Sequence, residues 1–124
     1  MISTLEPSVR GVLFDYGNTL IPFGKREMDA EGAVLIDHLA DSLPGVDRAD
    51  VANAFRDVRL AKFRFRRETL RETDPRDVLR ETAAALGGEL TDQQVEQGMA
   101  AHRDVFVECA VAAPVVHDVL TTLK

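Results

Sequence analysis

A carboxylate and a hydroxyl stand four residues apart, as Asp15 and Thr19, in the run Gly11-Val12-Leu13-Phe14-Asp15-Tyr16-Gly17-Asn18-Thr19-Leu20. A carboxylate held in place can act as a nucleophile, splitting one difficult displacement into two easier ones. It needs a mount. Val9 and Val12 to Phe14 are β-branched or bulky and too few for a helix, so they read as a short strand buried on both faces with Asp15 at its carboxyl end. Gly17 and Asn18 tolerate positive φ, which lets the backbone break away after the strand and hold the Asp15 side chain over its tip. Ligands bind at such strand ends in open α/β sheets. The plainer alternative is an Asx-type turn in which Asp15 only caps backbone donors.

The remaining reactive side chains are scattered. His102 falls on an apolar stripe with Val95, Met99, Phe106 and Cys109 or Ala110. It reads as a packed histidine with one satisfied ring nitrogen, because no Cys, His or carboxylate pair at metal-ligand spacing accompanies it. His38 and His117 have less local support, and Cys109 reads as a small core residue. The basic tract Lys62, Arg64, Arg66, Arg67 and Arg71 can line an entrance for a phosphorylated substrate. Glu68 and Glu72 lie beside Arg64, Arg67 and Arg71 at helix-pair spacing, however, so a salt-bridged, solvated face is the simpler account.

Helices must carry these residues. Ile21-Pro22-Phe23-Gly24 reads as a turn. From Lys25 the period becomes helical, with Met28, Leu35, Ile36, Leu39 and Leu43 on one side, Asp29, Glu31, Asp37 and Asp41 elsewhere around the axis, and Leu43-Pro44-Gly45 as the stop. A second helix is expected from Asp47 to about Arg71. Val51, Phe55, Val58 and Phe65 form its stripe, and Leu60 and Phe63 widen it to pack on two sides. Asp74-Pro75 caps and starts a third, with Leu79, Thr82, Ala83 and Leu86 inward and Gly87-Gly88 as its end. Thr91 and Gln94 form a capping-box pattern that opens a fourth. Pro114 starts a fifth, with Val116, Val119, Leu120 and Leu123 on one face, which reaches Lys124 with no stop signal.

The chain has 124 residues, one domain's worth, with 45% hydrophobic and 29% charged residues. Its formal charge of -6 (15 Lys+Arg against 21 Asp+Glu) disfavours a nucleic-acid partner. Cys109 alone allows no internal disulfide and suits a reducing cytoplasm. Met1 to Arg10 has no signal-peptide core, and no stretch approaches membrane-spanning length.

The motif FDYGNTL resembles the nucleophile motif of the haloacid dehalogenase-like (HAD) hydrolases, whose usual form is Asp-x-Asp-Gly-Thr after a hydrophobic strand. The order strand, flap, helical bundle and returning helix is similar to members with a helical cap inserted after this motif. The resemblance implies an α/β family fold with a Rossmannoid core, of which this chain, mostly α, holds one core strand, a four-helix cap and a returning helix. Residues 1–23 are expected to be the first core strand, nucleophile loop and flap, 24–112 the cap, and 113–124 the returning helix, cut before the rest of the core.

The chemistry it implies is a Mg²⁺-dependent phosphatase acting on a small phosphorylated metabolite. Asp15 attacks phosphorus and ligates the metal, Gly17 lends it a backbone carbonyl, and Thr19 holds the loop and nucleophile; Tyr16 and Asn18 belong to the substrate-facing loop. Gly17 stands where the family usually has an acid/base Asp, and a glycine moves no proton. The family's later Ser/Thr, Lys/Arg and acidic pair find no room in this sequence, so weak Mg²⁺ binding and an inactive isolated chain are expected. The unpaired strand edge implies pairing with a second copy or with a missing core. A 2-haloacid dehalogenase also uses an Asp nucleophile and needs no metal, though Tyr16 sits one residue after Asp15, not the two usual there. A non-catalytic helical interaction module is the reading from another class.

Overall fold

Cap chemistry sets where each helix begins. In the computed structural model, which describes residues 8–124, five helices follow one another: α1 (Lys25–Ser42), α2 (Arg48–Thr69), α3 (Pro75–Ala85), α4 (Asp92–Cys109) and α5 (Pro114–Leu123). Asp47 and Asp74 accept hydrogen bonds from Ala49 N–H and Arg76 N–H, and Pro75 takes the first turn of α3. Thr91 Oγ1 accepts from Gln94 N–H while Gln94 Oε1 accepts from Thr91 N–H, closing the capping box expected for α4. Gly24 N–H donates to Glu27 Oε2 at 2.8 Å in the same manner at α1. The chain is mostly helical, as its periodicity indicates.

Helices α1 to α4 form the packed body. Leu35 and Leu39 of α1 and Leu43 at its C-cap meet Val51 and Phe55 of α2, Leu79 and Ala83 of α3, and Val95 and Met99 of α4. Gly98 lets α4 approach closely, since a methyl group there would come within 2.8 Å of His38 Cδ2 and 3.0 Å of Leu79 Cδ1. Helix α5 packs on none of the other four among the described residues and lies instead beside Phe14, Thr19 and Leu20.

Two expectations are corrected. No strand forms among the described residues: 8–15 has no regular hydrogen bonding, Leu13 is fully exposed, and Val12 and Phe14 are exposed. The segment is apolar enough for a buried strand, but a strand exists only against a neighbour that takes up its N–H and C=O groups, and residues 8–124 contain none. The part of the expected 1–23 unit that falls on residues 1–7 lies outside the described residues. Second, α2 buries apolar side chains through its first half only. Val51 and Phe55 are buried, whereas Leu60, Phe63 and Phe65 are exposed, although α3 lies beside this half through Lys62, which reaches Glu81, and Arg59 beside Pro75 and Val78.

A guanidinium fork ties α3 to α4. Arg76 Nε donates to Glu96 Oε1 at 2.6 Å and Nη2 to Oε2 at 3.3 Å. This side-chain hydrogen bonding holds the Glu96 carboxyl below its ordinary value of 4.5. A depressed folded-state value stabilises the fold above the ordinary value, and the contribution disappears as pH falls through the lowered one. In Glu96→Gln, urea unfolding followed from pH 7 downward is therefore expected to show a stability deficit that shrinks below about pH 4.5. A deficit constant with pH would assign the loss to packing.

Candidate functional site

The turn after Asp15 is built around one carbonyl. Tyr16 C=O accepts from the N–H groups of Leu20 at 2.9 Å, Ile21 at 3.2 Å and Thr19 at 3.3 Å, coiling the chain through a tight loop. Asn18 takes the left-handed conformation, φ 59°, and its Oδ1 accepts from Phe23 N–H at 2.7 Å, which pins the far side of the loop. Asn18 N–H donates to Ile21 C=O at 2.7 Å, and Ile21 is buried. Asn18 alone makes the expected break; the Gly17 backbone stays out of the left-handed region, and a Cβ there would sit 3.8 Å from Phe23 Cβ, an ordinary contact.

Within this loop Thr19 Oγ1 donates to Asp15 Oδ2 at 3.4 Å, so the carboxylate and hydroxyl singled out by spacing do meet. Both are exposed or nearly so. The open cavity beside the loop, about 600 Å³, is lined by Asn18 to Pro22 and residues 111–116, and Asp15 is not among its lining residues. The Tyr16 ring lies 6.4 Å from Phe106 and the Phe23 ring 5.7 Å from it. Both shoulders of the loop therefore dock on α4, through contacts that spacing along the chain does not reveal.

Among the described residues, no group of three or more His, Cys, Asp and Glu side chains is placed to hold a metal ion. Near the loop, the donors assigned by the resemblance are the Asp15 carboxylate and the Gly17 carbonyl. Mg²⁺ takes near-octahedral oxygen coordination with reluctance to shed water, so this donor set does not build a dedicated site.

Histidines and charges are placed differently from their sequence reading. His38, not His102, has the satisfied ring nitrogen: its Nε2 lies 2.6 Å from the Gln94 carbonyl. His102 Nε2 faces Glu31 Oε1 at 3.5 Å, and Glu31, expected off the apolar side of its helix, is buried. The i, i+4 relation of Glu31 to Leu35 was the available signal. In the basic tract, Lys62 reaches across to Glu81 and Arg66 to Glu72 at 3.6 Å, so two members are neutralised, one of them by a partner on another helix.

No family model, curated protein or solved structure matches this chain. Among the described residues no single helix is long and apolar enough to cross a membrane.

Proposed function

We propose that Asp15 is the carboxylate nucleophile of a HAD-like phosphohydrolase acting on a small phosphorylated metabolite, with α1 to α4 as its cap. The observation that carries this reading is the Asn18-pinned loop, in which Thr19 Oγ1 donates to Asp15 Oδ2 and so orients an exposed carboxylate for attack. An Asp15 oxygen forms a bond to phosphorus as the ester P–O bond breaks, and the leaving alkoxide takes a proton from water. Water then attacks the same phosphorus, the aspartyl oxygen–phosphorus bond breaks, its electron pair returns to the carboxylate, and inorganic phosphate leaves. With the donor set incomplete, no step is assigned to Mg²⁺.

The same reading makes residues 9–16 the first strand of an α/β core, formed when a neighbouring strand is supplied. Trapping tests the chemistry. After incubation with p-nitrophenyl phosphate, borohydride reduction of an aspartyl-phosphate leaves homoserine at position 15, which peptide mass spectrometry detects. Because the chain alone is expected to turn over next to nothing, only a trace of label is expected in wild type, far below one per chain, and none in Asp15→Asn. Labelling that survives the substitution, or absence of label with and without Mg²⁺, overturns the reading, and chloride release from 2-chloropropionate in its place supports the dehalogenase.

The exposed Val12, Leu13 and Phe14 favour a second reading, a helical interaction module. It predicts a stable dimer on a sizing column with no turnover of either substrate.

A further inference from the structure

Two charges of opposite sign line one small cavity inside the helical body and do not pair with each other. The cavity, about 100 Å³, lies between α1, α2, α3 and α4, with Glu31, Arg59 and His102 as its polar walls and Leu35, Phe55 and Val78 among its apolar ones. Glu31 is only 5% exposed, and the His102 ring nitrogen Nε2 lies 3.5 Å from its Oε1. Its carboxylate takes no hydrogen bond from any described residue. Arg59 has no carboxylate partner among the described residues. Its Nη1 donates to the Met28 carbonyl at 3.4 Å and its guanidinium lies over the Phe55 ring, 5.8 Å from the centroid. Gly32 makes room for it, since a Cβ there would fall 3.2 Å from Nη1.

No sealed side-chain oxygen lacks a partner among the described residues, so the Glu31 carboxylate faces the cavity, where a half-buried guanidinium nearby is its natural counter-ion. Arg59 is held to α1 through Met28, and no ion pair joins it to Glu31, so cation and anion line the same cavity without meeting. That arrangement complements a molecule bearing an ammonium at one end and a carboxylate at the other. A cavity of about 150 Å³ admits benzene, so one of about 100 Å³ takes roughly four or five heavy atoms. A second cavity of about 130 Å³ shares Arg59, Pro75 and Val78, and its Lys62 and Arg66 are already paired with Glu81 and Glu72.

The geometry points to a binding site for a small amino acid, with its ammonium on Glu31 and its carboxylate on Arg59. Glycine, of five heavy atoms, fills it, and β-alanine, one atom longer, is at its upper limit. Charge-assisted hydrogen bonds to both ends give it selectivity over molecules carrying one charge only. This site does not depend on the chemistry assigned to Asp15.

Amide NMR of the full chain, titrated separately with glycine, β-alanine, acetate and methylammonium, tests the inference. Glycine or β-alanine is expected to give saturable shifts around Glu31, Arg59 and His102, with acetate and methylammonium at least about tenfold weaker. Glu31→Gln and Arg59→Met are each expected to weaken binding about tenfold or more. Gly32→Ala, which crowds the guanidinium while favouring helix, is expected to weaken it with the fold retained by circular dichroism. Absence of saturable shifts with both amino acids overturns the site, as does an equal response to the singly charged probes. Those two outcomes are read on the wild-type chain, so they stand even where a variant fails to fold.

Discussion

Gly17→Asp is expected to raise hydrolysis of alkyl phosphates by about 10²–10⁴-fold, the range that a positioned acid/base group typically contributes. In barrier terms this is roughly 3–5 kcal/mol. The argument starts from what Gly17 cannot do. If Asp15 attacks phosphorus, the departing alkoxide is a strong base that must be protonated as it leaves, and the present chain offers it only water. The backbone at 17 lies outside the left-handed region and a Cβ there meets only Phe23 Cβ at 3.8 Å, so an aspartate enters without strain. The gain should depend on the leaving group. A nitrophenolate leaves without help and its rate should change little, whereas an alkoxide should benefit in full. Gly17→Ala supplies the Cβ without the acid and is expected to leave both rates unchanged. Equal acceleration of both substrates, or acceleration by alanine, would locate the effect in loop rigidity.

What was legible in the chain follows from the range over which each signal acts. Asp74 and Thr91 act within three residues of themselves, and each caps the helix it was expected to cap; Asp47, where the second helix was expected to begin, caps α2. The stripe Leu35, Leu39 and Leu43 acts within one helix face, and it is the buried face. The strand over 11–16 depended on something no local pattern supplies, a partner for its backbone, and without one the same apolar residues lie open to solvent. The second half of α2 failed for a related reason. Phe63 and Phe65 are hydrophobic at the right spacing, but α3 meets this half of α2 through Arg59 and Lys62 and leaves both rings exposed. At the candidate site, the meeting of Thr19 with Asp15 is a short-range event and was readable. The docking of Tyr16 and Phe23 on Phe106 and the burial of Glu31 against His102 join residues more than 70 positions apart and were not.

Leu39→Ala is expected to destabilise the chain by about 2–5 kcal/mol, a large part of the 5–15 kcal/mol that a domain of this kind holds. Leu39 is fully buried at the centre of the cluster formed by Leu35, Leu43, Val51, Leu79 and Val95. Removing its isobutyl group forfeits transfer free energy and leaves a void that four helices, held by caps at their ends, can only partly close. Leu13→Ala removes the same atoms from a side chain that is 101% exposed, and is expected to change stability by no more than about 0.5 kcal/mol. The pair is informative because hydropathy along the chain ranks the two leucines alike, and their burial alone separates them. Urea unfolding at two protein concentrations measures both. A loss in Leu13→Ala that grows with protein concentration would mean that 9–16 is covered in solution by a second copy, since a mass-action contribution depends on concentration while an intrachain contact does not. A concentration-independent loss as large as that of Leu39→Ala would place the segment inside the fold and overturn the exposed arrangement described above.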